Sequence, residues 1–170
     1  MKPENLSQAR LKELLSFNEA TGEFKWIRSN TNCVPAGSKA GSRMSTGYMH
    51  IQIDGRFYPS HRLAWLYVHG SFPKKWIDHI NGIRDDNRME NLREATPAQN
   101  QKNRKLNSNS SSGFKGVSFR KDMNKWMAYT SLAGKRVLFG YFDTAEEASQ
   151  AYQREIHKYH GEFVRSQEAA

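Results

Sequence analysis

The chain has 170 residues, enough for one ordinary domain or two small ones, with 37% hydrophobic and 12% aromatic residues. Its net charge of +9 favours a polyanionic partner, either nucleic acid or an acidic membrane surface. A single cysteine, Cys33, excludes a disulfide framework and a cysteine-based zinc site; no apolar run reaches membrane-spanning length, and the start "MKPENLSQARLKELLSF" is not a secretory signal, so a cytosolic setting is expected.

Short strands and turns come first. "GEFKWI" (22–27) alternates as a strand does. "GYMHIQIDGRFYPS" (47–60) predicts a hairpin that turns at Asp54-Gly55, a pair that tolerates positive φ. "SHRLAWLYVHG" (60–70) predicts a helix with Ser60 as cap, Leu63, Ala64 and Tyr67 on one face, and Gly70 at its end. Lys75–His79 and Leu92–Ala95 then read as paired strands with a polar loop between them. "TPAQ" starts a helix, with Thr96 as N-cap, Pro97 in the first turn and Gln99 completing a capping box.

This strand, loop, strand, helix order collects Asp78, His79, Asn91 and Asn100. The set suits phosphodiester cleavage. Asp78 and Asn100 offer oxygens to a hard divalent cation and leave positions for water and phosphate. His79 titrates near neutrality and can take a proton from water, and Asn91 can fix its tautomer. The alternative is structural, with the aspartate as a turn residue and the asparagines as caps.

The pattern "DHINGIRDDNRMENLREAT..QN..N" resembles the HNH nucleases, in the form common among bacteriophage and intron-encoded homing endonucleases. "TGEFKW", "AGS", "GYMHIQIDG" and "HRLAWLYVHG" extend the likeness over roughly residues 10–104. The resemblance implies a ββα-metal core at about 75–104, with His79 as general base, Asp78 and Asn100 as metal ligands, and Asn91 as a brace for the histidine and its loop. Asn100 stands where many members carry histidine, as in the HNN variant. One divalent ion, Mg2+ or Mn2+, is implied. His61 and Arg62 match the family's "HR", and Arg62 and Arg93 are expected to reach phosphates or to form salt bridges.

A polar stretch, "QNQKNRKLNSNSSSG" (99–113), has no apolar periodicity and reads as a linker, placed at 105–113 between a nuclease domain at 1–104 and a second domain at 114–165. The second domain shows strands at 115–121, 126–132 and 136–142, with turns at Asp122-Met-Asn-Lys and Ala133-Gly134. Val117, Phe119, Trp126, Ala128, Thr130, Val137 and Phe139 share one face, while Ser118, Arg120, Met127, Tyr129, Ser131, Arg136 and Leu138 share the other. A helix follows, capped by Thr144 and Glu147, ending at Gly161, with Ala148, Ala151, Tyr152, Ile156 and Tyr159 as its apolar stripe.

"FKGVSFR", "KWMA", "GKRVLFGYFDTAEEASQAY" and "KYHGEF" resemble the APETALA/ethylene-response-factor DNA-binding domain of plant transcription factors. That likeness implies a three-stranded antiparallel sheet, packed on one helix, that enters the major groove with Lys115, Arg120 and Arg136 at contacting positions. Ser118, Tyr129, Ser131 and Leu138 depart from the usual residues, so the plant target sequence is not implied.

The expectation is an α+β, two-module, metal-dependent, site-specific DNA endonuclease of homing type. It would nick one strand of double-stranded DNA as a monomer on an asymmetric site, in the bacterial host cytoplasm if phage-encoded. The rival readings are a catalytically inactive DNA-binding regulator and an RNA-binding protein.

Overall fold

A computed structural model describes residues 6–29, 34–103, 106, 110–132 and 134–163, with Glu162 as backbone alone. The chain forms two compact units, Met1–Asn100 and Gln101–Ala170. Both are mixed α and β, with small antiparallel sheets throughout. No helix among the described residues is long and apolar enough to cross a membrane.

The first unit begins with α1 (Gln8–Leu14), whose N-cap Ser7 accepts a hydrogen bond from the Arg10 amide. Strands β1 (Leu15–Asn18) and β2 (Glu23–Trp26) form a hairpin. The Asn18 side chain accepts the amides of Ala20 and Thr21 in its turn. A second sheet runs β3 (Ser42–Arg43), β4 (Met49–Ile53), β5 (Arg56–Pro59). Asp54 and Gly55 turn β4 into β5 with φ of 47° and 77°, as the sequence predicts.

Helix α2 (Ser60–His69) ends on Gly70 at φ 79°. Its N-cap is Pro59, with no side-chain cap, so Ser60 is the first helical residue and is buried rather than capping. Leu11, Leu15, Phe24, Ile51, Ile53, Leu63 and Ala64 build the core. Each fully buried Leu, Ile or Phe contributes roughly 2 kcal/mol by apolar burial. Strands β6 (Trp76–His79) and β7 (Leu92–Ala95) pair in register Asp78↔Arg93 and His79↔Leu92. Helix α3 (Pro97–Lys102) follows, with Thr96 and Gln99 bonded reciprocally as a capping box.

The second unit is the sheet β10 (Lys135–Phe142), β9 (Lys125–Leu132), β8 (Val117–Arg120), packed on α4 (Ala145–His160). Thr144 and Glu147 form the expected capping box. Val117, Ala128, Ala145, Ala148 and Ala151 are its buried core, joined by Trp126, Phe139 and Tyr152. The alternation read from sequence breaks at a bulge between Leu138 and Gly140, after which Tyr141 pairs with Met127 and Phe142 with Trp126. Met127, expected on the open face, is buried on the central strand, and Phe119, expected inside, is 41% exposed.

Part of the expected linker, residues 105 and 107–109, lies outside the described residues, as do Arg104 before it and Ala133 of the second turn. Residues 110–114 are tied to the sheet: Ser112 Oγ donates to the carbonyls of Phe114 and Val117, or accepts the Phe114 amide. Gly116 sits at φ 66°, and a Cβ there would meet the Tyr152 ring at 2.1 Å, so the backbone itself packs on α4.

Candidate active site

Strand β6 ends in two adjacent polar residues that are both buried, Asp78 and His79, exposed 4% and 5%. Burying a carboxylate demands a partner. Arg93, directly across the β6–β7 ladder, supplies it, with Nε and Nη2 donating to Asp78 Oδ2 at 3.0 and 2.9 Å. The Arg93 side chain is only 13% exposed, so its guanidinium is placed on Asp78 and largely inside the protein.

The His79 Nε2 lies 3.2 Å from Asn87 Oδ1, and Asn87 is itself 2% exposed. An amide oxygen only accepts, so Nε2 carries the proton and Nδ1 the lone pair. Burial pushes the imidazole below its ordinary pKa, against the opposing pull of the Asn87 hydrogen bond and of Asp78, Asp86 and Asp85. The ring is therefore neutral near pH 7, the form a general base needs.

Asn91 is tied to the loop, one of the two contacts expected of it, by bonds that do not go to the imidazole. Its Oδ1 accepts the Asn81 amide at 2.9 Å and its Nδ2 donates to the Asp86 carbonyl at 2.8 Å. Both ends of the carboxamide thus close the loop between β6 and β7, and the hydrogen bond to the imidazole comes from Asn87. Asp86 adds to the loop by accepting from Asn81 Nδ2 and from Arg88, which holds its carboxyl down at about 2. Asn87 is not distinguished in the sequence, where it is one of several asparagines in a charged loop. No periodicity tells which of them turns inward.

The β1–β2 turn locks Asn87 in place. Gly22 has φ 71°, and a Cβ there would meet Asn87 C and Arg88 N at 2.5 Å. The Met89 amide also donates to the Glu19 carbonyl at 3.2 Å. Gly22→Ala is therefore expected to displace Asn87 and to lower stability by about 1–3 kcal/mol, since it strains a positive φ and takes the acceptor from a buried imidazole N–H. An alanine variant with the wild-type urea midpoint would contradict this.

Two further rings stand against His79. His61, in the first turn of α2, is T-shaped to it at 5.2 Å, and Tyr48 lies 5.9 Å from His79 and 5.4 Å from His61. Arg84 covers Tyr48 at 5.2 Å and donates to the Thr46 carbonyl. Burial first, then His79, Arg62 and His50, push His61 down to about 3.

The unfolded chain protonates this histidine near its ordinary 6.5. The contribution of neutral His61 is thus complete above that value and is lost as pH falls toward its folded pKa. His61→Phe should flatten the fall in stability between about pH 7 and pH 4 in urea melts, and an unchanged slope would contradict the burial argument.

Asn100 is half-buried on α3, its amide closing the first turn onto the Thr96 carbonyl at 2.9 Å. Among the described residues no group of three or more His, Cys, Asp or Glu side chains is arranged to hold a metal. A closed zinc cage therefore does not fit. A carboxylate and a carboxamide fit a hard cation that keeps water and phosphate as its other ligands.

The expected DNA contacts are distributed. Arg62 lies over the Phe72 ring at 5.7 Å. In the second unit Lys115 Nζ donates to the Lys102 carbonyl, Arg120 forks onto Asp122 at 2.8 and 2.6 Å, and Arg136 lies over the Tyr129 ring at 4.6 Å.

This buried aspartate–histidine pair falls within residues 58–102, which match the family model of the HNH endonucleases, so the chain carries an HNH endonuclease domain over that span. The chain belongs to the family of Protein 3.8 of Escherichia phage T7: the two are 34% identical over 106 residues, which is 62% of this chain and 87% of the relative. No solved structure matches it.

Proposed function

We propose that the protein is a metal-dependent endonuclease that hydrolyses phosphodiester bonds of double-stranded DNA, one strand per active site. The observation that carries this reading is the buried His79 beside Asp78 inside the HNH span, its Nε2 held by Asn87. His79 takes the proton of the attacking water. Asn91 keeps the loop closed, and Arg93 holds the Asp78 carboxylate in register with the end of β6.

Asp78 and Asn100 would hold one divalent cation, Mg2+ or Mn2+, which when bound polarises the phosphate and stabilises the leaving 3′ oxygen. The products are then a 5′-phosphate and a 3′-hydroxyl. The chain's own residues supply the base, its orientation and a wall of rings formed by Tyr48 and His61.

The second unit is proposed to position the DNA. The family match ends at Lys102, so this part rests on the three-stranded sheet backed by one helix and on the basic side chains of its open face. Arg136, stacked on Tyr129, is the residue best placed to meet a groove; Arg120 must exchange Asp122 for a phosphate, Lys115 and Arg62 add charge, and Arg93 is reserved for Asp78. Arg136→Ala is expected to weaken binding by about tenfold and either relax sequence preference or lower the salt slope by about one. Unchanged affinity and selectivity would exclude the sheet as the DNA reader.

Two unlike units and one Asp-His pair impose no two-fold symmetry, which supports a monomer nicking an asymmetric site, as a homing-type enzyme in a host cytoplasm would. Supercoiled plasmid carrying the DNA that flanks its own gene tests this. Open circles should precede linear DNA, and linear product without a nicked intermediate would show two active sites acting together.

A further inference from the structure

His61 stands beside His79 and has no part in the proton transfer proposed for it. His61 is half-buried in the first turn of α2, and its Nδ1 is sealed from solvent with no hydrogen-bond partner among the described residues. A buried N–H with no acceptor costs more than a buried lone pair, so Nδ1 carries the lone pair and the proton resides on Nε2. Nε2 lies at the other edge of the ring from the sealed nitrogen. The ring meets His79 at 5.2 Å and 81°, and Tyr48 braces both. Arg84 in turn covers Tyr48, so the orientation of His61 is fixed on two sides before substrate arrives.

We propose that His61 is a second catalytic residue, a neutral hydrogen-bond donor whose Nε2–H binds a non-bridging oxygen of the scissile phosphate. The proposal rests on the DNA-cleavage reading. No bond is made or broken at His61: as charge builds on the phosphate oxygens, a donor fixed beforehand stabilises it without reorganising. A neutral donor suits this position better than a cation. An imidazolium would repel His79 as that ring takes up the proton of the attacking water. Burial and the nearby Arg62 and His50 keep His61 uncharged, in agreement with the tautomer.

The test uses the full-length protein, a duplex carrying its cleavage site, and Mg2+. Nitrogen NMR of the free protein should show His61 as the neutral Nε2–H tautomer; an Nδ1–H tautomer overturns the proposal. In single-turnover cleavage at saturating protein, His61→Phe keeps a ring against His79 but has no donor. It should lose about 10²-fold in rate with affinity for uncleaved DNA unchanged, and His61→Gln, which restores a donor, should recover at least about tenfold of that.

Sulfur replacing one non-bridging oxygen at the scissile phosphate should slow the wild-type protein in one stereoisomer, with that stereospecific penalty shrinking in His61→Phe. A rate in His61→Phe within about threefold of wild type overturns the proposal, as does a lost rate with the full sulfur penalty and no rescue by glutamine, which would mark His61 as packing alone. Should His61→Phe fail to fold, the His61→Gln rate and sulfur penalty decide. Wild-type protein that cuts while His61 variants also cut removes this inference only; wild-type protein that never cuts removes both it and the nuclease reading.

Discussion

His79→Ala is expected to lower the cleavage rate by about 10³-fold or more and to leave affinity for uncleaved DNA within about threefold, because a general base acts in the reaction and not in docking. The structure makes this variant informative. His79 is 5% exposed and Nε2 points to Asn87, so truncation leaves the strand ladder with Leu92 intact and strands the buried Asn87 amide oxygen. That stranded oxygen costs about 1–3 kcal/mol of stability, which a melting curve separates from the catalytic loss. Asn87→Asp keeps an acceptor at Nε2 and should retain far more activity than Asn87→Leu. Cleavage by His79→Ala within about tenfold of wild type would remove His79 as the base.

The second large effect is expected at Asp78 and Asn100, the pair proposed to hold the metal. Asp78→Ala confuses two losses, since it also leaves the Arg93 guanidinium buried without its carboxylate. Asp78→Asn keeps an acceptor for Arg93 and removes the charge a divalent cation needs. It should raise the Mg2+ concentration for half-maximal cleavage by about tenfold or more and lower the rate at saturating metal by about 10²-fold. Asn100→Ala should show the same direction, while Asn100→Asp and Asn100→His keep a ligand atom and part of the activity. Normal cutting by Asn100→Ala across a full metal titration would show that α3 supplies no ligand.

Much of this arrangement was legible in the sequence where local rules decide it. The Asp54-Gly55 turn, the Thr96–Gln99 and Thr144–Glu147 capping boxes and the β7 strand each follow from a few adjacent residues. Asp78 beside His79 at a strand end is likewise a sequence-level fact. What failed was decided through space. Nothing in the "RDDNRMEN" stretch says that Asn87 turns inward to meet the imidazole, because that choice depends on the β1–β2 turn pressing on Asn87 through Gly22. Arg93 reads as an exposed cation until register sets it opposite Asp78. The bulge at Phe139 shifts the face of Tyr141 and Phe142 by one residue, which alternation alone cannot foresee.

The central claim is that this chain cuts DNA by metal-dependent hydrolysis at the Asp78–His79 pair. The most direct measurement follows an end-labelled duplex carrying its cleavage site, incubated with purified protein in Mg2+, in Mn2+ and in chelator, beside His79→Ala. The account predicts a discrete cut bearing 5′-phosphate and 3′-hydroxyl ends in either metal, none in chelator, none from the variant, and unchanged binding by that variant in a mobility shift. A cut that persists in chelator, or intact DNA in every metal while the protein binds it tightly, would contradict the account; the second result would instead mark a DNA-binding regulator built on a nuclease fold.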